Sequence, residues 1–272
     1  IEAVEFAHKQ KLPILILGGG SNLLISDEGF PGVVIKNEIK GIIGFKQILK
    51  VGAGTLLSQL ITTITKQNLS GLQKLAGIPG TVGGAIYGNA GAYGTAIGDN
   101  ITKIVCFNPQ KNTVVSLTRK QCQFDYRDSV FKKNGFIILE AHFKLTRLPG
   151  KSLEAQMKDI LKQRQSKNFW EGKCPGSFFK NILIASLSKE SLKLIPEEKQ
   201  IHGKIPAGFL LESVGAKGMK SGKVEVSKTH ANLLINKGGG KASDFIKLAS
   251  ILVKKVKDRY GITLEPEVQI VD

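Results

Sequence analysis

Three side chains in this sequence have chemistry that could serve a reaction: a guanidinium, a hydroxyl and a carboxylate. Arg127 lies between two aspartates, so it could hold an anion or join a surface ion pair. Ser177 lacks a Gly-x-Ser-x-Gly context, which disfavours acyl transfer and leaves a capping or solvated hydroxyl as the simplest interpretation. Glu267 follows a proline near the end of a predicted strand, where a carboxylate can either face solvent or point into a cleft.

Glycine is concentrated in two stretches, of which residues 77–94 are the longer. This stretch has a glycine every few positions, no charge, and no regular helical or strand pattern. Glycine lets main-chain amides approach a ligand because no Cβ intervenes, and successive amides suit phosphate oxygens. We therefore expect a cradle for a bound dinucleotide rather than a flexible linker, which would favour Ser, Lys and Glu over Ile, Val and Tyr.

The second glycine stretch follows an apolar run. Residues 13–17 predict a buried strand, and the Gly-Gly-Gly-Ser-Asn sequence at 18–22 predicts a turn of amides and small polar groups. No Gly-x-Gly-x-x-Gly with a following helix and acidic residue is present, and no Gly-Lys-Ser/Thr follows. The stretch is therefore neither a Rossmann nor a Walker motif.

Composition indicates a globular protein with a basic surface. The 272 residues are 42% hydrophobic and 22% charged, with a net charge of +17. No apolar run is long enough to span a bilayer, and the first residues do not form a signal peptide. The lysines are spread without long runs, which favours a solvated surface that attracts anionic small molecules over a nucleic-acid site. Because the chain begins at Ile1 rather than Met, we expect that residues upstream of it are missing.

Cysteine and histidine patterns argue against a metal site. The three cysteines are odd in number and widely spaced, and the four histidines are scattered. No C-x-x-C pair or histidine-rich cluster is present, so zinc binding is not expected. We expect three reduced thiols in a cytosolic protein and no metal.

Hydrophobic periodicity predicts short alternating strands and helices. Helices are predicted at 1–10, 56–67, 151–167, 206–214 and 243–259, with Thr55 capping the second and Ser243 the last. Strands are predicted at 12–17, 32–36, 101–108, 112–117, 136–147 and 262–270, and one or two strands at 41–51. Residues 148–150, Leu-Pro-Gly, break the pattern and predict a domain boundary. This order favours α+β lobes over a single doubly wound sheet.

A set of motifs, in order along the chain, resembles one family. They are Gly-Gly-Gly-Ser-Asn-Leu-Leu at 18–24, Gly-Ile-Pro-Gly-Thr-Val-Gly-Gly at 77–84, Tyr-Arg-Asp-Ser at 126–129, Gly-Ser-Phe-Phe-Lys-Asn at 176–181, Pro-Ala-Gly at 206–208 and Leu-Glu-Pro-Glu-Val at 264–268. On these motifs the chain resembles the UDP-N-acetylenolpyruvoylglucosamine reductases, flavin enzymes of peptidoglycan precursor synthesis. The resemblance covers nearly the whole chain, and it is closest to the shorter subclass of the family.

The resemblance implies a fold and a reaction. The implied fold is α+β: an FAD-binding module of the vanillyl-alcohol-oxidase (PCMH) type over residues 1–148, followed by a smaller α+β substrate domain over 149–272. The implied reaction uses FAD and NADPH to reduce UDP-N-acetyl-3-O-(1-carboxyvinyl)-glucosamine to UDP-N-acetylmuramate. We expect an oxidoreductase of cell-wall biogenesis, and so of cell shape and division, that works in the cytoplasm as a monomer or weak oligomer. We expect no nucleic-acid or membrane partner.

The resemblance also implies roles for individual residues. Arg127 would contact the enolpyruvyl carboxylate, Ser177 would donate a proton, and Glu267 would stabilise or relay charge at the intermediate. The implied substrate-binding residues are Tyr126, Arg164, Lys167, Lys180 and Asn181. The implied FAD-binding residues are Gly18, Gly19, Gly20, Ser21, Asn22, Gly77, Thr81, Gly83, Gly84, Asn89, Gly91 and Ala92.

Two rival functions stay open at this point. Another FAD-dependent oxidoreductase of the same fold, such as a hydroxy-acid or sugar oxidase, should lack the joint set of Arg127, Ser177 and Glu267. A basic nucleic-acid-binding protein would be colourless when purified and would bind DNA with a steep salt dependence.

Overall fold

The computed structural model, which describes residues 1–167 and 172–272, alternates short helices and strands. The helices are α1 (Glu2–Lys9), α2 (Leu57–Lys66), α3 (Val82–Tyr87), α4 (Phe131–Asn134), α5 (Gly150–Lys167), α6 (Lys189–Lys193), α7 (Ala207–Ser213) and α8 (Ala242–Tyr260). Short 3-10 turns lie at Gln73–Leu75, Ile97–Asn100, Ile184–Ser186 and Glu197–Lys199. Among the described residues, no helix combines the length and the apolar character needed to cross a bilayer.

The strands are mostly short. They are β1 (Ile14–Leu17), β2 (Leu23–Ile25), β3 (Val33–Lys36), β4 (Ile42–Phe45), β5 (Ile48–Gly52), β6 (Leu69–Ser70), β7 (Gly91–Ala92), β8 (Thr95–Ala96), β9 (Ile101–Asn108), β10 (Thr113–Thr118), β11 (Ile137–Lys144), β12 (Thr146–Arg147), β13 (Ile182–Leu183), β14 (Lys204–Ile205), β15 (Lys220–Ser221), β16 (Val224–Val226), β17 (Leu234–Asn236) and β18 (Gln269–Val271). The chain packs into two units, and each has its own apolar core.

The first unit contains Ile1–Gly20 and Pro31–Arg164 and is built on an antiparallel sheet. The strand order of this sheet is β10-β9-β11-β5-β4. Helices α2 and α3 bury their apolar faces in the core cluster that the sheet also lines, which includes Ile61, Ile86 and Phe143. Burial of such faces is the main stabilising term for short helices.

Helix α5 also packs on the core of the first unit. Ile160 is buried in that cluster, and Met157 and Leu161 pack against it, as the predicted apolar stripe requires. The unit therefore extends through most of α5, up to Arg164. The predicted domain boundary at residues 148/149 stays a prediction.

The second unit contains Ser21–Phe30 and Gln165–Asp272. Its largest sheet has the order β15-β16-β17, and β2 pairs with β18 in parallel, so that a segment from early in the chain is held beside its end. Helices α7 and α8 supply Leu210, Leu248 and Leu252 to its core. The same core contains Phe178 and Phe179, which directly follow Ser177.

Two of the predicted elements are wrong in type or extent. Residues 77–94, predicted to lack a helix or strand, contain helix α3. This helix begins after Thr81, whose Oγ1 accepts a hydrogen bond from the amide of Gly84, and its buried residues are apolar. The predicted strand 262–270 is regular only in β18. Before β18 the chain pairs through an isolated bridge at Pro266, which has no amide hydrogen to continue a ladder.

Both predicted helix caps are also wrong. Helix α2 begins at Leu57 without a side-chain cap, since Oγ1 of Thr55 instead donates to the carbonyl of Gly41 at 3.2 Å and accepts from its amide at 3.1 Å. Helix α8 begins at Ala242 rather than at Ser243, with Lys241 in the N-cap position. Each time, a contact distant in sequence replaces the local one that the sequence suggests.

The cap of α8 comes from Asp27, more than 200 residues earlier. Its carboxylate accepts hydrogen bonds from the amides of Ala242 at 2.7 Å and Ser243 at 3.1 Å, and from the Ser243 hydroxyl at 2.9 Å. These bonds satisfy amides that a helix N-terminus leaves free. The bonds from the Ala242 and Ser243 amides hold the pKa of Asp27 below its ordinary value.

We predict that Asp27→Ala lowers the melting temperature at neutral pH. Since the folded-state pKa is depressed, the stabilisation is fully present above the unfolded-state pKa and is lost as pH falls through the folded-state value. The difference in melting temperature between wild type and variant should therefore shrink in acid. The control is Asp258→Ala on the same helix, which removes only an exposed ion pair with Lys254. A difference that is the same at neutral and strongly acidic pH would contradict this role.

Candidate active site

The two glycine stretches meet in the first unit. A Cβ placed on Gly18 would lie 2.6 Å from Oγ1 of Thr81, and one on Gly19 would lie 2.8 Å from Cα of Gly80. These separations are too short for any side chain, so both positions must be glycine for the two loops to approach this closely. The sequence predicts two glycine loops but not their contact.

Main-chain amides in these loops fall into two groups. The amides of Val82, Gly83 and Gly84 are occupied, since they donate to Thr55 O, Ala53 O and Thr81 Oγ1 respectively. Within residues 1–167 and 172–272, the amides of Gly18–Gly20 donate no hydrogen bond. The first loop therefore keeps donors for an acceptor-rich ligand such as a pyrophosphate, and its lack of side chains leaves room for one. This arrangement fits FAD.

Three more of the predicted cofactor residues build the loop after α3. The carboxamide of Asn89 is buried; it donates to Asp125 O at 2.8 Å and accepts from the amide of Gly98 at 3.2 Å. Gly91 and Ala92 form β7, which pairs with β8. Asn89 thus connects this loop to the segment that carries Arg127.

Arg127 lies at the tip of a tight turn. Asp125 and Asp128 exchange main-chain hydrogen bonds of 3.1 and 3.2 Å, which leaves Tyr126 and Arg127 as the two central residues. Arg127 has a φ of +53°, which is uncommon for a non-glycine residue and is often found where function demands it. Its guanidinium lies 5.4 Å from the centre of the Tyr126 ring, and its carbonyl accepts from Nζ of Lys132.

Arg164 brings a second guanidinium into the same unit. Its side chain packs against Gly77, where an added Cβ would be 2.8 Å from Cδ, and its guanidinium lies 5.7 Å from the Tyr93 ring centre. Burial, with the positive charge of Arg127, lowers the pKa of Arg164. Within the described part of the chain, its Nε is buried and has no hydrogen-bond partner. An anionic ligand would supply that partner and relieve the repulsion between the two cations. The side chain of Lys167 lies outside the described residues.

Ser177 and Glu267 belong to neighbouring segments of the second unit. The amide of Glu267 donates to Phe178 O at 2.8 Å, and the amide of Lys180 donates to Glu265 O at 2.9 Å. Ser177 itself is exposed, whereas Glu267 is half-buried. The sequence separates Ser177 and Glu267 by 90 positions, and these two hydrogen bonds bring their segments together.

The remaining substrate-binding candidates, Lys180 and Asn181, follow the paired residues in the chain. Nζ of Lys180 forms an ion pair with Glu265 at 3.1 Å. Oδ1 of Asn181 accepts a hydrogen bond from the amide of Ala207 at the start of α7, at 3.1 Å. The Gly-Ser-Phe-Phe-Lys-Asn motif is therefore joined to the Leu-Glu-Pro-Glu-Val and Pro-Ala-Gly motifs in one unit.

Asn22 has a structural contact that the sequence does not reveal. Ser21 and Asn22 belong to the second unit, unlike Gly18–Gly20. Nδ2 of Asn22 donates to the carbonyl of Glu267 at 3.1 Å, and the Asn22 carbonyl accepts from the amide of Gln269 at 3.0 Å. Asn22, predicted to bind the cofactor, thus also holds the main chain of Glu267.

Asn232 is buried beside the segment after Ser177 and was not among the residues predicted from the sequence. One signal was available: Asn232 is a polar residue within the otherwise apolar run 231–235. A polar side chain in such a run needs hydrogen-bond partners once it is buried.

Comparisons with known proteins point to one enzyme family along nearly the whole chain. The model for the C-terminal domain of UDP-N-acetylenolpyruvoylglucosamine reductase matches residues 167–271, and the model for an FAD binding domain matches residues 1–117. The UDP-N-acetylenolpyruvoylglucosamine reductase of Solibacter usitatus is 39% identical over 270 residues, which cover 99% of this chain and 86% of that protein. The reductase of the same name from Fervidobacterium nodosum is 33% identical over 272 residues, covering 99% and 81%.

A solved structure extends the similarity to the fold. The crystal structure of UDP-N-acetylenolpyruvylglucosamine reductase from Thermus caldophilus matches with a TM-score of 0.77 at 29% identity, over 99% of this chain and 90% of that one. This match and the FAD binding domain confirm the predicted fold class, an α+β protein with an FAD-binding module of the vanillyl-alcohol-oxidase type and a second α+β lobe. The chain belongs to the UDP-N-acetylenolpyruvoylglucosamine reductase family of FAD-dependent oxidoreductases.

Proposed function

We propose that this protein reduces the enolpyruvyl group of UDP-N-acetyl-3-O-(1-carboxyvinyl)-glucosamine to yield UDP-N-acetylmuramate, with FAD as cofactor and NADPH as reductant. The observation that carries the proposal is the main-chain pairing between the segment after Ser177 and the Glu267 segment. It keeps an alcohol and a carboxylate on adjacent segments, and such a pair can deliver a proton and stabilise the charge that accompanies its transfer.

The cofactor would be held mainly by the first unit. The amides of Gly18–Gly20, which have no partner among the described residues, would bind the pyrophosphate. The surface around it would be shaped by Gly77, Thr81, Gly83, Gly84, Asn89, Gly91 and Ala92, and Ser21 and Asn22 would complete the set. When bound, FAD supplies the redox chemistry, since it can accept a hydride from NADPH and pass one to C3 of the enolpyruvyl group.

Arg127 would bind the carboxylate of the enolpyruvyl group. A guanidinium fork holds a carboxylate bidentately and keeps its charge at any working pH. Arg164, whose Nε has no partner in the part of the chain that the structure describes, would provide a second cation for the carboxylate or the diphosphate. Tyr126, Lys167, Lys180 and Asn181 would make the remaining contacts to the substrate.

Ser177 would donate the proton that C2 requires. Reduction of the double bond at C3 leaves negative charge at C2, and a carbanion of that kind is basic enough to take a proton from an alcohol despite its high pKa. Arg127 would stabilise the same charge through the adjacent carboxylate. Glu267 would stabilise or relay charge as the hydroxyl proton leaves Ser177.

Several further expectations belong to this proposal. The protein would act in the cytoplasm as a monomer or weak oligomer, with no nucleic-acid or membrane partner. A substrate-binding domain would begin near residue 149. The net charge of +17 supports the choice of ligands, because the UDP-sugar, NADPH and FAD are all anionic.

Turnover with the proposed substrate is the test of this function. We expect the purified, FAD-containing protein to oxidise NADPH only when the enolpyruvyl UDP-sugar is present, and mass spectrometry should show UDP-N-acetylmuramate as the product. A sugar or hydroxy acid that reduces the flavin in the absence of NADPH would instead indicate an oxidase. NADPH oxidation that is independent of the UDP-sugar would also argue against the proposal.

The glycine contact leads to a prediction about flavin content. Gly19→Ala should purify with less FAD than wild type, because its methyl group would meet the main chain at Gly80, which has no flexible end to move aside. The matched variant is Gly88→Ala, whose Cβ would meet only Gly84 O at 3.8 Å. It should retain more FAD than Gly19→Ala when absorbance per chain is compared. Equal flavin content in the two variants would show that the close contact between Gly19 and Gly80 is not needed for FAD binding.

The proton-donor role leads to a prediction about rates. Ser177→Ala should slow flavin reoxidation by the enolpyruvyl substrate by about a hundredfold or more, the usual contribution of a general acid. Flavin reduction by NADPH should stay close to the wild-type rate, because it needs no proton from Ser177. Stopped-flow absorbance separates the two rates, and the control is Ser250→Ala, at an exposed position of α8. A similar loss in both half-reactions would rule out the role.

A further inference from the structure

Asn232 is a buried polar residue in the second unit. It is 3% exposed and lies among the buried apolar residues Ala231, Leu233 and Leu234. A carboxamide in such surroundings destabilises the fold unless its donor and acceptor are both paired. The contacts of this side chain therefore show why an asparagine occupies the position.

Both ends of the carboxamide are bonded to the main chain of one residue. The amide of Phe179 donates to Oδ1 of Asn232 at 2.9 Å, and Nδ2 of Asn232 donates to Phe179 O at 2.8 Å. The carbonyl of Asn232 also accepts from the amide of Phe178 at 2.8 Å. One residue thus bonds three main-chain groups immediately after Ser177.

The local main chain explains why a side chain makes these bonds. Residues 230–233 turn, with the Leu233 amide donating to His230 O at 3.0 Å and the Asn232 amide donating to Nδ1 of His230 at 3.2 Å. Leu233 forms an isolated antiparallel bridge with Ser177, and the turn before Leu233 interrupts the regular pairing of main-chain donors and acceptors opposite Phe179. The carboxamide of Asn232 takes the place of a strand residue opposite Phe179, because it offers a donor and an acceptor in one plane.

The main chain of Phe178 and Phe179 is also bonded on its other side, to the Glu267 segment. Phe178 O accepts from the amide of Glu267, and Phe179 forms a bridge with Pro266. Asn232 and the Glu267 segment therefore hold the chain after Ser177 from opposite sides. We propose that Asn232 is a positioning residue, which fixes the Ser177 hydroxyl relative to Glu267 for proton transfer; this inference rests on the proposed function.

No other common side chain of this size can replace the carboxamide. Aspartate keeps the shape and the acceptor but loses the donor, so Phe179 O would lose its partner. Leucine keeps the approximate volume but loses both bonds. Either change should let the Ser177 segment shift, and a displacement of about 1 Å can slow a reaction about a hundredfold.

The test compares Asn232→Asp and Asn232→Leu with a matched control. Asn236→Asp serves as that control, because the Asn236 carboxamide is also bonded to a loop of the same unit, through Gly238 and Gly240. The measurements are melting temperature, the two flavin half-reactions, and amide hydrogen exchange of residues 177–180. Hydrogen exchange reports local opening without depending on activity.

We expect Asn232→Asp to slow flavin reoxidation by the enolpyruvyl substrate about tenfold or more at saturating substrate, which corresponds to one lost buried hydrogen bond. Reduction by NADPH should change by less than about threefold, which is a small energy on the same scale. Exchange should become faster in residues 177–180. Asn236→Asp should lower the melting temperature without changing the ratio of the two half-reaction rates.

Equal losses in both half-reactions, or unchanged exchange in residues 177–180, would overturn the inference. If Asn232→Leu does not fold, the isosteric Asn232→Asp variant decides. A wild-type protein that is reduced by NADPH but never reoxidised by the UDP-sugar would overturn the proposed function and this inference together. An active wild type with unaffected Asn232 variants would overturn the inference alone.

Discussion

The pairing of the segment after Ser177 with the Glu267 segment is the interaction on which the second unit depends. Phe178 and Phe179 are almost fully buried, and the Phe178 ring stacks on Phe245 of α8 with a centroid separation of 6.5 Å. Core packing therefore anchors this segment from within, and main-chain hydrogen bonds fix it laterally. Ser177 stands at the exposed end of a segment that the core holds rigid, which is what a precisely placed proton donor requires.

In the first unit, two features favour the binding of an anionic ligand: glycines, which have no side chain, and two positive charges that repel each other. Gly18 and Gly19 allow two loops to touch, and the amides of Gly18–Gly20 are left with no partner in the described protein. Arg127 and Arg164 lie close enough for their charges to interact, and the buried Nε of Arg164 has no acceptor among residues 1–167 and 172–272. Gly19 and Gly20 are exposed, so water can pair with their amides, whereas the buried Nε of Arg164 and the charge of Arg127 raise the free energy of the protein alone. An anionic ligand would relieve this and so stabilise the unit.

Much of the fold could be predicted from local sequence signals. Helical spacing located α2, α5 and α8 to within a residue or two, and the apolar runs located β1, β9 and β11. The glycine stretches and the motif set identified the family and the cofactor. These signals succeed because hydrophobic periodicity and glycine content act over a few neighbouring residues.

The contacts that join distant parts of the chain were not predictable. Nothing near Ala242 indicates that Asp27 caps α8, and nothing in the Gly-Gly-Gly-Ser-Asn motif indicates that Asn22 bonds to Glu267. Thr55 and Ser243 looked like caps because short-range rules favour them, but tertiary contacts took precedence. The same limit applies to Asn232, whose partner lies 53 positions away.

The proposed function assigns proton donation to the Ser177 segment and hydride transfer to bound FAD. One measurement tests this proposal most directly. The FAD-loaded protein is reduced with NADPH, freed of excess nucleotide, and mixed anaerobically with the enolpyruvyl UDP-sugar while flavin absorbance and product mass are followed. We expect the oxidised flavin spectrum to return as an equimolar amount of UDP-N-acetylmuramate forms. A flavin that stays reduced beside an unchanged sugar would contradict the central claim.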